Sequence, residues 1–235
     1  MFRIEAAPDH PLSHAEYPGS VPAVAQLLED GLDLGPLTVL VGENGSGKST
    51  IIEAVAMAFG MAPEGGSTGS RHASRGSESD LWRGIRLRRG IGASRWGFFL
   101  RAETMHGFYT YLEENPQDRG RLEPRFHEMS HGQSFLAMLS SRFVGSGLYL
   151  LDEPESALSF QSSLHLVAVL ADLARTATAQ VMVATHSPVV AATPGATILQ
   201  LDDQGLRPTD WEDLDLVTHH RGFLEHPQRY LRHLT

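Results

Sequence analysis

Nine residues, Gly42-Glu43-Asn44-Gly45-Ser46-Gly47-Lys48-Ser49-Thr50, constrain this chain more than any others. Their glycines let a backbone turn close on itself with its amides pointing inward, an arrangement that wraps an anion. The flanks supply the context that such a loop needs. Before it, Leu37-Thr38-Val39-Leu40-Val41 reads as a short buried strand. After it, Ser49 to Phe59 carries Ile52, Val55, Ala56 and Phe59 at the spacing of one helix face. Strand, glycine loop and helix in that order predict a phosphate-binding loop, with the positive end of the helix dipole turned toward the ligand.

Lys48 is the only lysine in 235 residues, and arginine supplies the rest of the nineteen basic side chains. A bias this strong is what genome base composition produces, yet it spared position 48. A slim ammonium reaches between β- and γ-phosphates where a planar guanidinium does not fit. The expected ligand is therefore a nucleoside triphosphate. Gly42, Asn44, Gly45, Ser46, Gly47 and Lys48 would surround its phosphates, Ser49 would hold Mg²⁺, and Thr50 would reach the α-phosphate.

The rest of the chain reads as alternating elements. Proline and histidine are frequent in the first thirty residues, which lead to a helix over Val21 to Leu28. From Gly60 to Gly97 the composition shifts: a Gly/Ser stretch is followed by arginines 71, 75, 83, 86, 88, 89, 95 and 101, with only Glu78 and Asp80 against them. Gly97 to Ala102 looks like a strand leaving that region. Residues 106–128 are polar and read as partly helical. Further on, the patterns predict a helix over Gln133 to Phe143, a buried strand Leu148 to Leu151 and an amphipathic helix Ser162 to Ala174. A strand Gln180 to Thr185, a hairpin around Asp202-Asp203-Gln204-Gly205 and a polar helical tail complete the chain. Buried strands alternating with helices predict an α/β fold with a mostly parallel sheet and helices on both faces. We expect one domain over 1–235, with residues 61–130 as a flexible or helical insertion between the two halves of the core.

Leu148-Tyr149-Leu150-Leu151-Asp152-Glu153 is the natural second half of the site. An apolar strand ending in two carboxylates sets them at the carboxyl edge of the sheet, where open α/β folds bind ligands. Asp152 is the expected Mg²⁺ ligand and Glu153 the group that orients or deprotonates a water. Composition narrows the rest. A net charge of −9 argues against wholesale coating of nucleic acid. The absence of cysteine removes disulfides, thiolate catalysis and thiolate-bound metal. With no signal pattern and no apolar run near ~18 residues, the expectation is a soluble, cytoplasmic chain without a membrane segment.

Twenty-two residues before Asp152 lies Met129-Ser130-His131-Gly132-Gln133-Ser134, at the start of a predicted helix. This hexad resembles the signature of ABC-type ATPases, usually Leu-Ser-Gly-Gly-Gln, and stands in the place the family gives it. Glu155-Ser156-Ala157-Leu158 resembles the family's D-loop, which crosses the dimer interface. His186, within Ala184-Thr185-His186-Ser187-Pro188, resembles the switch histidine that senses the γ-phosphate. Over residues 35–205 the chain is most similar to the non-transporter branch of RecF, SbcC and SMC heads, and within it to small stand-alone bacterial ATPases. The resemblance implies the P-loop NTPase fold, ATP and Mg²⁺ as ligands, hydrolysis, and a homodimer closed head to tail around two ATP. Lys48, Ser49, Asp152, Glu153 and His186 would then serve the site in cis, while Ser130, Gly132 and Gln133 would serve the opposite site.

The chain departs from the family pattern at three points. His131 replaces a signature glycine. No glutamine lies between Thr50 and Pro116, so the usual Q-loop ligand is missing; Glu103 is the candidate substitute. No heptad insertion separates the halves, so coiled-coil arms are absent. Two other functions share this head. One is a nucleotide-gated module that clamps DNA or a protein partner, for which the arginine-rich stretch could track phosphates. The other is the energising subunit of a transporter, against which stand the missing glutamine and the form of the histidine box.

Overall fold

The alternation of buried strands and helices read from the sequence is present in the computed structural model, which describes residues 2–68, 79–104, 139, 141–176 and 178–232. In chain order the elements are β1 (Phe2–Ala6), α1 (Pro22–Asp30), β2 (Leu32–Asp33), β3 (Leu37–Gly42), α2 (Lys48–Phe59) and β4 (Gly66–Ser67). They continue with α3 (Leu81–Gly84), β5 (Ile85–Arg89), β6 (Gly97–Arg101), β7 (Gly147–Asp152), α4 (Phe160–Ala174) and β8 (Ala179–Thr185). The last are α5 (Pro188–Ala191), β9 (Thr197–Asp202), β10 (Gly205–Pro208), α6 (Asp215–Glu225) and α7 (Pro227–Leu231).

Seven strands form the central sheet in the order β10-β9-β3-β8-β7-β6-β4. The five inner strands are mutually parallel, and only the edge strands β10 and β4 run antiparallel to their neighbours. Successive residues of a strand face opposite sides, so each strand feeds two cores. Val39, Val41, Tyr149, Leu151, Val181 and Val183 pack with Leu166, Leu170 and Leu173 of α4 and with Leu214 and Val217 near the tail. Leu40, Leu148, Leu150, Met182 and Ala184 pack with Val24 and Leu27 of α1 and with Ile51, Ile52, Val55 and Phe59 of α2. Burial on both faces explains why β7 and β8 lack the polar alternation of a half-exposed strand.

A second, three-stranded sheet, β2-β1-β5, is antiparallel throughout. Here the structure differs from the sequence patterns, which predict no strand in the first thirty residues and mark the arginine-rich stretch only by its charge. Phe2-Arg3-Ile4-Glu5-Ala6 and Ile85-Arg86-Leu87-Arg88-Arg89 both alternate apolar with charged residues. Their apolar sides are covered by the core, and Glu5 on the opposite side meets Arg3, Arg86 and Arg88 at 3.3, 3.1 and 3.0 Å. Gln180 joins the small sheet to the large one. Its Oε1 accepts from the Phe2 amide at 2.8 Å, and its Nε2 donates to the Leu34 carbonyl at 2.6 Å. No helix among the described residues is long and apolar enough to cross a membrane.

Candidate functional site

Parallel strands end on one side, and the register brings the chemistry-bearing residues to that edge. Val41 pairs with Thr185, Asp152 with Ala184, and Arg101 with Asp152. The loop after β3, the acidic end of β7, the histidine after β8 and the arginine ending β6 thus stand side by side.

The glycine loop is built as its sequence requires. Gly47 has φ +99°, in the left-handed region that other residues enter at a cost. At Gly42 the reason is space: a Cβ there would lie 2.4 Å from the Leu201 carbonyl oxygen. Lys48 opens α2 and is buried, its Nζ donating to the carbonyls of Gly42 and Glu43 at 2.9 Å each. Burial draws this ammonium below the ordinary lysine value, while the nearby carboxylates of Glu153, Asp152 and Glu155 oppose that pull. Ser46 Oγ is buried without a hydrogen-bond partner among the described residues, an orphan that a phosphate oxygen would satisfy.

Ser49 Oγ donates to Asp152 Oδ1 at 2.9 Å. Two hard oxygen donors this close suit Mg²⁺, with phosphate and water completing its shell. Asp152 is itself buried, and burial pushes its carboxyl up to about 6, while the Ser49 hydrogen bond and the Arg101 charge pull it down. On the other side of the carboxylate, Arg101 Nε stands 3.6 Å from Asp152 Oδ2, and Arg101 Nη1 donates to Glu53 Oε2 at 2.7 Å. The sequence marks neither Arg101, one of the arginine-rich stretch, nor Glu53 as a site residue, because which strand neighbours β7 is not a local property. Glu103, the candidate substitute for the Q-loop glutamine, follows β6 and is mostly exposed, 3.7 Å from Arg101 Nε, while Arg101 is the side chain of β6 that faces Asp152.

Glu153 has φ +49°, the one non-glycine residue with positive φ among those described. Such a conformation costs on the order of 1–3 kcal/mol and persists where surrounding contacts hold it. Here the Glu153 amide donates to the Ala184 carbonyl at 3.0 Å. The half-exposed carboxylate comes 3.3 Å from His186 Nε2, within ion-pair range though not aligned as a hydrogen bond. Glu155 turns inward as well: its Oε1 accepts from Thr185 Oγ1 and from the His186 amide, each at 2.6 Å. Thr50 Oγ1 is 3.1 Å from the Tyr17 hydroxyl, which brings the amino-terminal segment against the loop's helix. The signature residues Ser130, Gly132 and Gln133 lie outside the described residues, whereas the other site residues expected from the sequence stand together at one edge.

A family model described as an AAA domain matches residues 29–88. No curated protein matches the chain. Among solved structures the chain is similar to a metal-chelate type ABC transporter in an inward-facing conformation, with 20% identity, a TM-score of 0.46 and 80% of each chain covered. It is also similar to the SMC head domain from Thermotoga maritima, at 16% identity and a TM-score of 0.44 over 77% of this chain and 93% of that one. A third is the SMC head bound to the C-winged helix domain of ScpA, at 15% identity and a TM-score of 0.44 over 76% and 92%. The glycine loop between β3 and α2, the acidic end of β7 and the sheet between two helical layers make this a P-loop NTPase fold, and the order of its motifs resembles that of the ABC-type ATPases of the SMC and RecF branch.

Proposed function

We propose that this chain binds ATP with Mg²⁺, hydrolyses it, and pairs head to tail with a second copy that supplies Ser130, Gly132 and Gln133 to the opposite site, in a DNA maintenance or defence role. The observation that carries the reading is the 2.9 Å bond between Ser49 and Asp152, which joins the phosphate loop to the acidic strand. Ser49 and Asp152 would hold Mg²⁺, which would supply positive charge against the phosphates. Lys48 withdraws from the Gly42 and Glu43 carbonyls toward the γ-phosphate, Glu153 orients the attacking water and accepts its proton, and His186 stands beside that carboxylate.

The test is the molecular mass in solution of Glu153→Gln with Mg²⁺, in the presence and absence of ATP. An ATP-dependent shift from monomer to dimer supports the paired site. A monomer with ATP demonstrably bound overturns it.

A second reading keeps the DNA maintenance or defence role of the first and takes the chain as a nucleotide-gated module with slow hydrolysis that grips DNA or a protein partner. Its DNA form draws on the small sheet. Arg3, Arg86 and Arg88 face two carboxylates, Glu5 and, through Arg3 alone, Asp33, and Arg86 and Arg88 keep more than half of their side-chain surface exposed. That leaves net positive charge on one face. Salt-dependent DNA affinity with and without ATP separates the two readings, and no binding at low salt removes the DNA form of the second.

A further inference from the structure

The motif containing Glu155 resembles a loop that works across a dimer interface, yet its carboxylate is spent inside its own subunit. One oxygen, Oε1, accepts two 2.6 Å hydrogen bonds, from Thr185 Oγ1 and from the backbone amide of His186. Thr185 is fully buried at the end of β8, and its Oγ1 also accepts from the Ser187 amide at 2.9 Å. The Glu155 backbone belongs to a one-turn helix, Pro154–Ala157, that begins immediately after Glu153. A single carboxylate therefore links the turn leaving the acidic pair to the turn leaving β8, and the residue clamped there is the one whose imidazole stands 3.3 Å from Glu153. Charge-assisted bonds to a carboxylate are the stronger kind, and two on one atom fix a direction as well as a distance.

We propose that Glu155 is a positioning residue: it locks the Thr185–His186 backbone so that the His186 imidazole faces Glu153, and so makes any movement of the 154–158 turn a movement of His186. This rests on the reading of the site as one that hydrolyses ATP. The second oxygen of Glu155, Oε2, is buried without a hydrogen-bond partner among the described residues. The clamp thus needs an acceptor at Oε1 rather than two charged oxygens, and glutamine can supply that acceptor.

The experiment compares ATP turnover and ATP affinity for the full chain carrying Glu155→Ala, Glu155→Gln, His186→Ala and the Glu155→Ala/His186→Ala pair, with hydrogen exchange of the His186 amide measured alongside. Glu155→Ala should lower kcat about 10- to 100-fold with KM little changed, as expected when a group is misplaced rather than lost. Glu155→Gln should recover most of the rate. The double variant should be no slower than His186→Ala alone, because residues acting through one another are not additive. Exchange of the His186 amide should quicken about tenfold or more in Glu155→Ala. A wild-type rate in Glu155→Ala, or multiplied losses in the double variant, overturns the proposal while leaving ATP hydrolysis standing. If the unmodified chain hydrolyses no ATP, the functional reading fails by itself, and unchanged amide exchange in Glu155→Ala would still overturn the clamp. Should Glu155→Ala not fold, Thr185→Val against Thr185→Ser tests the same carboxylate through its other donor, with slowing expected only for valine.

Discussion

Ser49 and Asp152 are 103 positions apart in the chain, and their side chains meet at 2.9 Å. The bond reaches across one strand of the sheet, since β8 separates β3 from β7. The two residues can meet only if the glycine loop curls over the end of β8. Changes to either side of this contact have definite expected outcomes.

Burial has pushed the Asp152 carboxyl from 3.8 up to about 6, so the folded chain holds this proton more tightly than the unfolded chain does. Between those two values the folded state binds more protons, and stability falls as pH rises through the window. The contribution is about 3 kcal/mol, present below the unfolded value and gone above pH 6. In the absence of metal and nucleotide, the melting temperature of the wild-type chain should therefore fall more, or rise less, between pH 4 and pH 6.5 than that of Asp152→Asn. An identical slope in the variant would remove Asp152 as a source of the pH dependence.

Lys48 is the next case. Lys48→Ala and Lys48→Arg should both lose ATP affinity by about 100-fold, near 3 kcal/mol. Arginine does not rescue, because a rigid fork cannot fill the space where an ammonium meets two carbonyls at 2.9 Å. Titration with ATP and Mg²⁺ measures this, and near-native affinity in the arginine variant would refute it.

Two glycines with the same φ of +99° make a matched pair. A Cβ at Gly60 would meet nothing within 4 Å, whereas one at Gly47 would lie 3.0 Å from Val21 Cγ1. Gly60→Ala should cost about 1 kcal/mol from backbone strain alone. Gly47→Ala should cost about 2–3 kcal/mol, since the Val21 side chain, just ahead of α1, must also shift. Urea midpoints measured side by side decide it, and equal losses would mean that the Val21 contact is without consequence.

Ser130→Arg addresses the opposite subunit. It should abolish turnover while leaving ATP affinity of the monomer within about 2-fold, because in the proposed pair this residue would act across the interface. Loss of ATP binding by the isolated monomer would place Ser130 in its own site instead.

What could be read from the residues follows from what is local. The phosphate loop, the strands of the buried core and the Asp202 to Gly205 hairpin are each encoded within a dozen residues, and each is where periodicity placed it. β1 and β5 were equally local, with clean alternation, but composition masked them: proline and histidine around one, arginine throughout the other. Arg101 beside Asp152 is a different matter. It depends on β6 lying next to β7, a choice made by the whole sheet, and no window of sequence contains it. The inward turn of Glu155 belongs with it, because a motif states where a residue stands in the chain and not which way a one-turn helix points its side chain.

The left-handed backbone at Glu153 carries a consequence for how this chain can change over time. The residue that bears the proposed base also bears strain, so stability and activity pull in opposite directions at a single codon. Glu153→Gly would release on the order of 1–3 kcal/mol and discard the carboxylate in the same step. If the proposed turnover is what this carboxylate serves, a lineage that stopped needing it would meet a mutation there that makes the fold sturdier and leaves the phosphate loop's sequence untouched, a short path from the proposed ATPase to a permanent nucleotide-binding scaffold.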